Sequence, residues 1–205
     1  MLTETLALNL HFKGQRTYIT GADIAQGMLN HIGVCSKLRI EFHHMAACAL
    51  DMREVLADQL PALKHKDDVY ALLAATDADG VQRYWLAQAQ AQAQTQEAQV
   101  LRLDYDESVF TRHALLEDQL IHADAASMQA SPVDALVALN KYLLNQCVEV
   151  HPWIFVRLDM QHWPFDSSGV QLQLTGQASH GIHKTSILSH GTVVGHIYFT
   201  RSATT

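Results

Sequence analysis

Residues 131–144 read Ser-Pro-Val-Asp-Ala-Leu-Val-Ala-Leu-Asn-Lys-Tyr-Leu-Leu and carry the strongest information about architecture. The helix that this stretch predicts is apolar on most faces, whereas a helix on the surface of a sheet keeps a wide polar face. Ser131 is a helix-capping residue type, and Pro132 stands where proline suits the first helical turn. A helix that is apolar nearly all round must be covered on several sides. We therefore predict an α+β protein in which a curved antiparallel sheet wraps a central helix.

A similar helix start occurs earlier in the chain, at residues 20–23. Thr-Gly-Ala-Asp there corresponds to Ser-Pro-Val-Asp at residues 131–134. In both segments the hydroxyl can accept a hydrogen bond from an amide of the first turn, and the acid three residues later can form the reciprocal hydrogen bond. A strand pattern follows each helix, at residues 38–44 and 156–162, with arginine, an acid and histidine in matching places. This correspondence predicts an internal repeat.

The rest of the chain is dominated by strand patterns. Residues 69–75 and 81–86 flank a turn-rich connection, and the alternation after Val170 predicts further strands with a turn at residues 190–191. Residues 52–60, ended by Pro61, predict a short helical insertion. An alanine- and glutamine-rich stretch from residue 87 marks a connection. We predict two tandem units, residues 1–95 and 96–205, each consisting of a strand or hairpin, a helix and three or more antiparallel strands.

The composition narrows the class of protein. The chain has 205 residues, of which 48% are hydrophobic, so it can bury a core. Its net charge of −7 argues against a nucleic-acid partner, and no apolar run reaches the length of a membrane span. The first residues lack the basic cluster of a secretory signal, which predicts a cytoplasmic protein. The three cysteines match no zinc or redox spacing and are expected to be reduced thiols.

The order of elements and the apolar central helices resemble the hotdog fold, and the repeat resembles a double hotdog covering the whole chain. The resemblance implies a thioesterase or dehydratase that acts on acyl-CoA or acyl-carrier-protein substrates. It also implies an active site between two units, in which amides at a helix N-terminus polarise the thioester carbonyl. The implied assembly is a monomeric pseudo-dimer or a homodimer, and no cofactor is expected.

The segments that match this site are the two helix starts and the residues around them. Asp23 is a candidate general base, with helix capping as the structural alternative. His122 and Asp124, just before the second helix, are a candidate acid–base pair in which the acid orients the ring; the alternative is a polar loop. Gly21 would permit close approach of a carbonyl. His44, at the end of the first strand pattern, is a candidate substrate-binding residue.

His162 is the counterpart of His44 in the second half and is a candidate substrate-binding residue for the same reason. Both histidines can equally be ordinary strand residues. The chain has 13 histidines, with His180, His183, His190 and His196 clustered near the end. No ligand spacing accompanies them, so no metal is expected.

Two alternatives to a thioester enzyme stay open. The dehydratase and thioesterase signatures before the helix are absent, which favours a non-catalytic protein that binds an acyl chain or a partner. A histidine-ligated metal enzyme is the third hypothesis.

Overall fold

A computed structural model describes residues 5–63, 66–90, 102–177 and 181–202. The chain divides into two compact units, Met1–Tyr105 and Asp106–Thr205. Both units combine an antiparallel sheet with a helix of at least three turns, as the resemblance to the hotdog fold implies. The predicted boundary after residue 95 lies outside the described residues. Within the described ranges, no helix has the length and apolar character needed to cross a membrane.

Unit 1 contains seven strands and two helices among its described residues. In chain order they are β1 (Thr5–Leu8), β2 (Phe12–Lys13), α1 (Gly21–Ile32), β3 (Cys35–Phe42), β4 (Leu50–Val55), α2 (Leu60–Leu63), β5 (Val69–Thr76), β6 (Gln82–Ala89) and β7 (Arg102–Leu103). Five strands form an antiparallel sheet in the order β1-β4-β6-β5-β3, and the short strands β2 and β7 form a separate parallel pair.

Helix α1 forms where the sequence predicted the first helix. Its buried residues recur at helical spacing, which gives the helix one apolar face. The helix ends at Gly33, whose φ of +68° is a conformation that glycine adopts without steric cost. The buried residues of α1 are Ala22, Ile24, Ala25, Met28 and Leu29.

The helix predicted for residues 52–60 is wrong. Residues 50–55 form strand β4, in which Leu50 and Met52 are buried on one face. Good helix formers are common in this segment, but β4 is paired on both sides, with β1 and with β6. Tertiary pairing therefore overrides the local preference. The helix that does form, α2, begins one residue before Pro61, where proline is tolerated in a first turn.

The sheet of unit 1 is covered on two faces. Trp85 of β6 lines a cavity together with His31 of α1, so this side chain points to the α1 face. Because side chains alternate along a strand, Leu86 points to the opposite face. There a second apolar cluster joins α2 to the sheet through Leu60 and Leu63. The sheet residues of this cluster are Val55, Val69, Leu72, Tyr84 and Leu86.

Unit 2 contains six strands and three helices among its described residues. In chain order they are α3 (Ser108–Thr111), β8 (Leu115–Glu117), β9 (Leu120–His122), α4 (Ala125–Ala130), α5 (Pro132–Cys147), β10 (Trp153–Trp163), β11 (Val170–Gln177), β12 (His183–Ser189) and β13 (Thr192–Arg201). The strands form an antiparallel sheet in the order β10-β13-β12-β11-β9-β8.

Helix α5 is buried along most of its length, as its apolar sequence predicted. Every residue from Val133 to Asn140 is buried, and so are Leu143 and Leu144. The helix packs against α3 and α4 and against strands β9 and β11. Covering elements on several sides explain why the helix has no wide polar face.

In both units two strands precede the long helix and four strands of the sheet follow it, but the order of the strands in the sheet differs. In unit 1 the fourth strand after the helix, β6, lies between the second and third, β4 and β5. In unit 2 the third strand, β12, lies between the second and fourth, β11 and β13. The predicted pair of tandem hotdog-like modules is therefore not confirmed, and each unit has its own strand connectivity.

Candidate functional site

The start of α1 is fixed by a reciprocal pair of hydrogen bonds. Thr20 is the N-cap, with an extended backbone (φ −75°, ψ 151°), and its hydroxyl oxygen accepts from the Asp23 amide at 3.2 Å. The same hydroxyl donates to Asp23 Oδ2 at 2.6 Å. The amides of Gly21 and Ala22 precede the first helical hydrogen bond, made by Ile24 to the Thr20 carbonyl, and so have no acceptor within the helix. This arrangement directs two amides and one carboxylate to the same end of the helix.

The second oxygen of the Asp23 carboxylate is paired with a lysine. Lys13 Nζ lies 2.6 Å from Asp23 Oδ1, and the two side chains are only 13% and 15% exposed. Strand β2 places Lys13, because its pairing with β7 sets Lys13 opposite Leu103, and the Gly14 amide donates to the Leu103 carbonyl at 2.9 Å. Asp23 is thus held from two sides, by the hydroxyl of its own cap and by a cation from another element.

The ring of Tyr105 lies next to two cations near the same helix start. Lys13 Nζ is 4.7 Å from the ring centroid, and Arg16 Cζ is 5.1 Å from it. Both distances suit an attraction between a cation and an aromatic face. The ring therefore restricts the lysine that pairs with Asp23.

His44 lies on a loop beside the segment that leads into α1. The Ile19 amide donates to the Ala46 carbonyl at 2.6 Å and joins the two segments. The His44 ring packs edge-on against Tyr70, with centroids 6.4 Å apart. The structure thus brings Gly21, Asp23 and the loop of His44 to one region of unit 1, and their roles in binding or catalysis stay predictions.

Tyr70 has an unusual environment next to His44. Burial is the main cause that raises the pKa of Tyr70 to about 12. Cys48 Sγ lies 3.7 Å from the phenol oxygen, and the hydrogen bond between these two groups raises the pKa further, as do the charges of Cys48 and Asp68. At neutral pH the phenol is protonated.

The start of α5 differs from the start of α1. Ser131 has φ −155° and ψ 86°, and its side chain accepts no capping hydrogen bond, so the predicted hydroxyl cap is wrong at this helix. The hydroxyl instead donates to Asp134 Oδ2 at 2.7 Å. Pro132 occupies the first turn and supplies no amide hydrogen. The second helix start therefore offers fewer donors than the first.

The other predicted site residues lie on separate elements of unit 2. His122 ends β9, and its Nδ1 is 3.2 Å from the side-chain amide of Gln171 on the neighbouring strand. The carbonyl of Asp124 accepts the first hydrogen bond of α4, from the Met128 amide at 3.2 Å. His162 is exposed near the end of β10. The acid–base pairing of His122 with Asp124 and the binding role of His162 stay predictions, as does a site between two units.

A Ser–His–Asp cluster in unit 2 was not predicted from the sequence. Ser168 Oγ and Asp166 Oδ2 both approach His190 Nε2, at 3.0 and 3.1 Å. Nucleophilic relays need the acid on the other ring nitrogen, and these His190 and Asp166 side chains are 64% and 61% exposed. The cluster joins a loop to the β12–β13 turn and does not have the geometry of a catalytic triad.

The remaining histidines of the C-terminal part form no metal site among the residues that the structure describes, where no three His, Cys, Asp or Glu side chains are grouped to hold an ion. His183 packs edge-on against Trp153 at 5.0 Å between centroids, and burial is the main cause that lowers its pKa. Burial also lowers the pKa of His196, whose Nδ1 is 3.3 Å from Ser186 Oγ. His180 lies outside the described residues.

A cavity of about 270 Å³ lies at the opposite end of α1. Arg83 lines it and contacts Asp77 Oδ2 at 2.6 Å and Glu54 Oε1 at 3.1 Å. Cys35 also lines the cavity, and burial raises the pKa of its thiol. Both carboxylates of the cavity are thus engaged by the protein's own guanidinium, and the thiol is protonated at neutral pH.

No protein-family model and no curated protein matches the chain. Among solved structures, a conserved protein of unknown function with a hot dog fold from Alicyclobacillus acidocaldarius is 11% identical, at a TM-score of 0.43, over 99% of this chain and 93% of that one. Erythromycin dehydratase is 13% identical, at a TM-score of 0.43, over 98% and 89%. A protein provisionally described as oleoyl thioesterase from Lactobacillus plantarum is 11% identical, at 0.42, over 98% and 96%. Hotdog-fold proteins are thus among the structures similar to this chain, and similarity at this level does not extend to function.

Proposed function

We propose that the start of α1 binds the carbonyl of an acyl thioester, carried by coenzyme A or an acyl carrier protein, and that Asp23 directs a water molecule onto it. The supporting observation is the Asp23 carboxylate, which Thr20 and Lys13 hold beside two first-turn amides. Amides aimed at a developing oxyanion and a fixed carboxylate are the groups that thioester hydrolysis needs. Hydrolase chemistry is therefore favoured for this site over dehydration.

In the proposed reaction, Asp23 accepts a proton from water as the water oxygen attacks the thioester carbon. Negative charge develops on the carbonyl oxygen, where the Gly21 and Ala22 amides and the N-terminal end of the helix dipole stabilise it. The carbon–sulfur bond then breaks, and the thiolate takes the proton from Asp23. The products are a carboxylic acid and a free thiol, so no cofactor is required.

The two helix starts support unit 1 as the location of this chemistry. Gly21 provides an amide and no side chain, whereas Pro132 at the matching place in α5 provides no amide. A carbonyl at α5 would lack one of the donors that are present at α1. The proposal includes that each unit is a hotdog-like module whose sheet curves around its helix.

The decisive experiment compares Gly21→Pro with Gly21→Ala in acyl-CoA hydrolysis. Proline is favourable at the first helical position, and Thr20 already has the extended backbone that proline requires before it. Gly21→Pro therefore removes one amide donor with little cost to the helix, whereas Gly21→Ala keeps the donor. Loss of one oxyanion donor is expected to lower kcat about 100-fold or more, and alanine should lower it only a few-fold.

A matched pair of carboxylate variants completes the test. Asp23→Asn should lower kcat at least about 100-fold, because the amide cannot take a proton from water. Asp134→Asn, at the equivalent place in α5, should leave kcat within a few-fold of the wild type. Equal kcat values for the proline and alanine variants would contradict the carbonyl site, even if the protein hydrolyses thioesters.

A non-catalytic acyl-binding protein is the second candidate function. The observation that favours it is that both Asp23 oxygens already have partners in the protein, the Thr20 hydroxyl and the Lys13 ammonium, so both are engaged before any water binds. Isothermal titration with a panel of acyl-CoA chain lengths separates the two functions. Binding with no turnover at any chain length would support the accessory role, and turnover would exclude it.

A further inference from the structure

Lys13 makes two contacts near the start of α1 that are not needed to cap the helix. The ammonium of Lys13 touches Asp23 Oδ1 at 2.6 Å and lies 4.7 Å from the centroid of the Tyr105 ring. Thr20 caps the helix through the hydrogen bond from the Asp23 amide, and this bond does not involve Lys13. The lysine is therefore additional to what the start of α1 requires.

The charges around Lys13 indicate that its effect is on the position of the Asp23 carboxylate. A cation near a helix N-terminus is opposed by the helix dipole, so Lys13 gains nothing from the helix itself. A pair that is 13% and 15% exposed also loses much of its hydration, which offsets most of its attraction. The contribution of this ion pair to stability is consequently small, and its main physical effect is to fix the position of the carboxylate.

Tyr105 limits the freedom of the lysine. A lysine stem has several rotatable bonds, and ordering it costs conformational entropy unless contacts hold it. The ring face and the pairing of β2 with β7 supply those contacts. The carboxylate of Asp23 is thus connected through one lysine to an aromatic residue far away in the sequence.

We infer that Lys13, held between the Asp23 carboxylate and the Tyr105 ring, is a positioning residue that fixes Asp23 for the chemistry at the start of α1. The inference rests on the proposed function. It assigns Lys13 no direct contact with the substrate, and it predicts an effect on turnover and not on substrate binding.

The first experiment observes Asp23 directly. In protein labelled at aspartate carboxyl carbons, with the Asp23 resonance assigned by its loss in Asp23→Asn, Lys13→Met should shift or broaden that resonance. Lys13→Arg should preserve it, because a guanidinium can also bind a carboxylate and stack on a ring. Lys141→Met is the control, since Lys141 pairs with Glu107 at 2.9 Å in unit 2, with side chains 25% and 33% exposed, and it should leave the Asp23 resonance unchanged.

The second experiment measures kcat and KM separately on an acyl-CoA that the wild type hydrolyses. Lys13→Met should lower kcat about 10- to 100-fold, the range expected for a misplaced catalytic group, with KM within about twofold. Lys13→Arg should recover kcat to within about threefold of the wild type. If Lys13→Met does not fold, Tyr105→Leu against Tyr105→Phe tests the same connection, and only the leucine variant should lower kcat.

The outcomes separate this inference from the proposed function. If the wild type hydrolyses no acyl-CoA, the proposed function is overturned. The Asp23 carboxyl resonance by itself would then test whether Lys13 fixes the Asp23 carboxylate. An Asp23 resonance that is unchanged in Lys13→Met would overturn the inference in any case. A changed resonance with unchanged kcat in an active enzyme would overturn it as well, because the lysine would then fix a carboxylate that does not limit turnover.

Discussion

Tyr70 is expected to make the protein sensitive to alkali. Burial, followed by the hydrogen bond and charge of Cys48, raises the pKa of Tyr70 to about 12 from an ordinary value of 10.0. The folded state therefore keeps the phenol proton where the unfolded state has lost it. The stabilising contribution is complete below pH 10 and is lost as the pH rises towards 12.

The magnitude follows from the same numbers. At about 1.4 kcal/mol per pKa unit, the difference corresponds to an upper limit of about 3 kcal/mol in the free energy of unfolding. Because the Tyr70 ring is only half-buried, water screens part of the effect, and about 1–2 kcal/mol is expected. Tyr70→Phe has no proton to lose and should not show this decline.

Urea unfolding of the wild type and of Tyr70→Phe, measured in reductant from pH 8 upwards, tests the expectation. The stability difference between the two proteins should shift by about 1–2 kcal/mol in favour of the variant by pH 12. Ultraviolet titration of tyrosinate should show one of the six tyrosines ionising last, and Cys48→Ala should lower the pKa of that residue part of the way towards 10. Stability curves that stay parallel over the whole pH range would refute the reasoning.

Three further perturbations test the packing. Thr20→Ala should lower the free energy of unfolding in urea by about 1–2 kcal/mol. Ser131→Ala should lower it less, because of these two side chains Thr20 accepts a capping hydrogen bond and Ser131 does not. Equal losses would contradict the difference between the two caps. Gly195→Ala should lower the free energy of unfolding by about 2–3 kcal/mol, because the added methyl carbon would overlap the backbone oxygen of Asp159 on β10. An unchanged urea midpoint would show that β10 and β13 can move apart to accept the methyl group. Cys35 should be the last of the three thiols to react with iodoacetamide in peptide mapping, because it is the most buried and burial raises its pKa.

Much of the local structure was predictable because the signals are local. The cap at Thr20 and the apolar spacing after it predicted α1, and the continuous apolar pattern after Pro132 predicted α5. The turn residues between β5 and β6 predicted a hairpin, which the pairing confirms. Patterns of this kind depend on neighbours within a few residues, so a single sequence contains them.

What the sequence did not reveal depends on distant residues. Strand β4 is built from good helix formers and exists because β1 and β6 pair with it. The order of strands in each sheet is likewise a property of long-range pairing, and the repeat in element order gave no sign of the difference. The contact of Lys13 with Asp23 depends on the pairing of β2 with β7, about 90 residues further along, and no local pattern around Lys13 pointed to it.

The apolar cluster of α2 has a practical consequence for anyone who shortens this protein. Deleting the loop between β4 and β5 would look harmless on a sequence plot, since it is short and contains a proline. It would uncover Leu72 and Leu86, and it would also remove the crossover that carries the chain past β6 from β4 to the parallel strand β5. Such a shortened chain should express poorly and aggregate on concentration, although the residues at the start of α1 are unchanged.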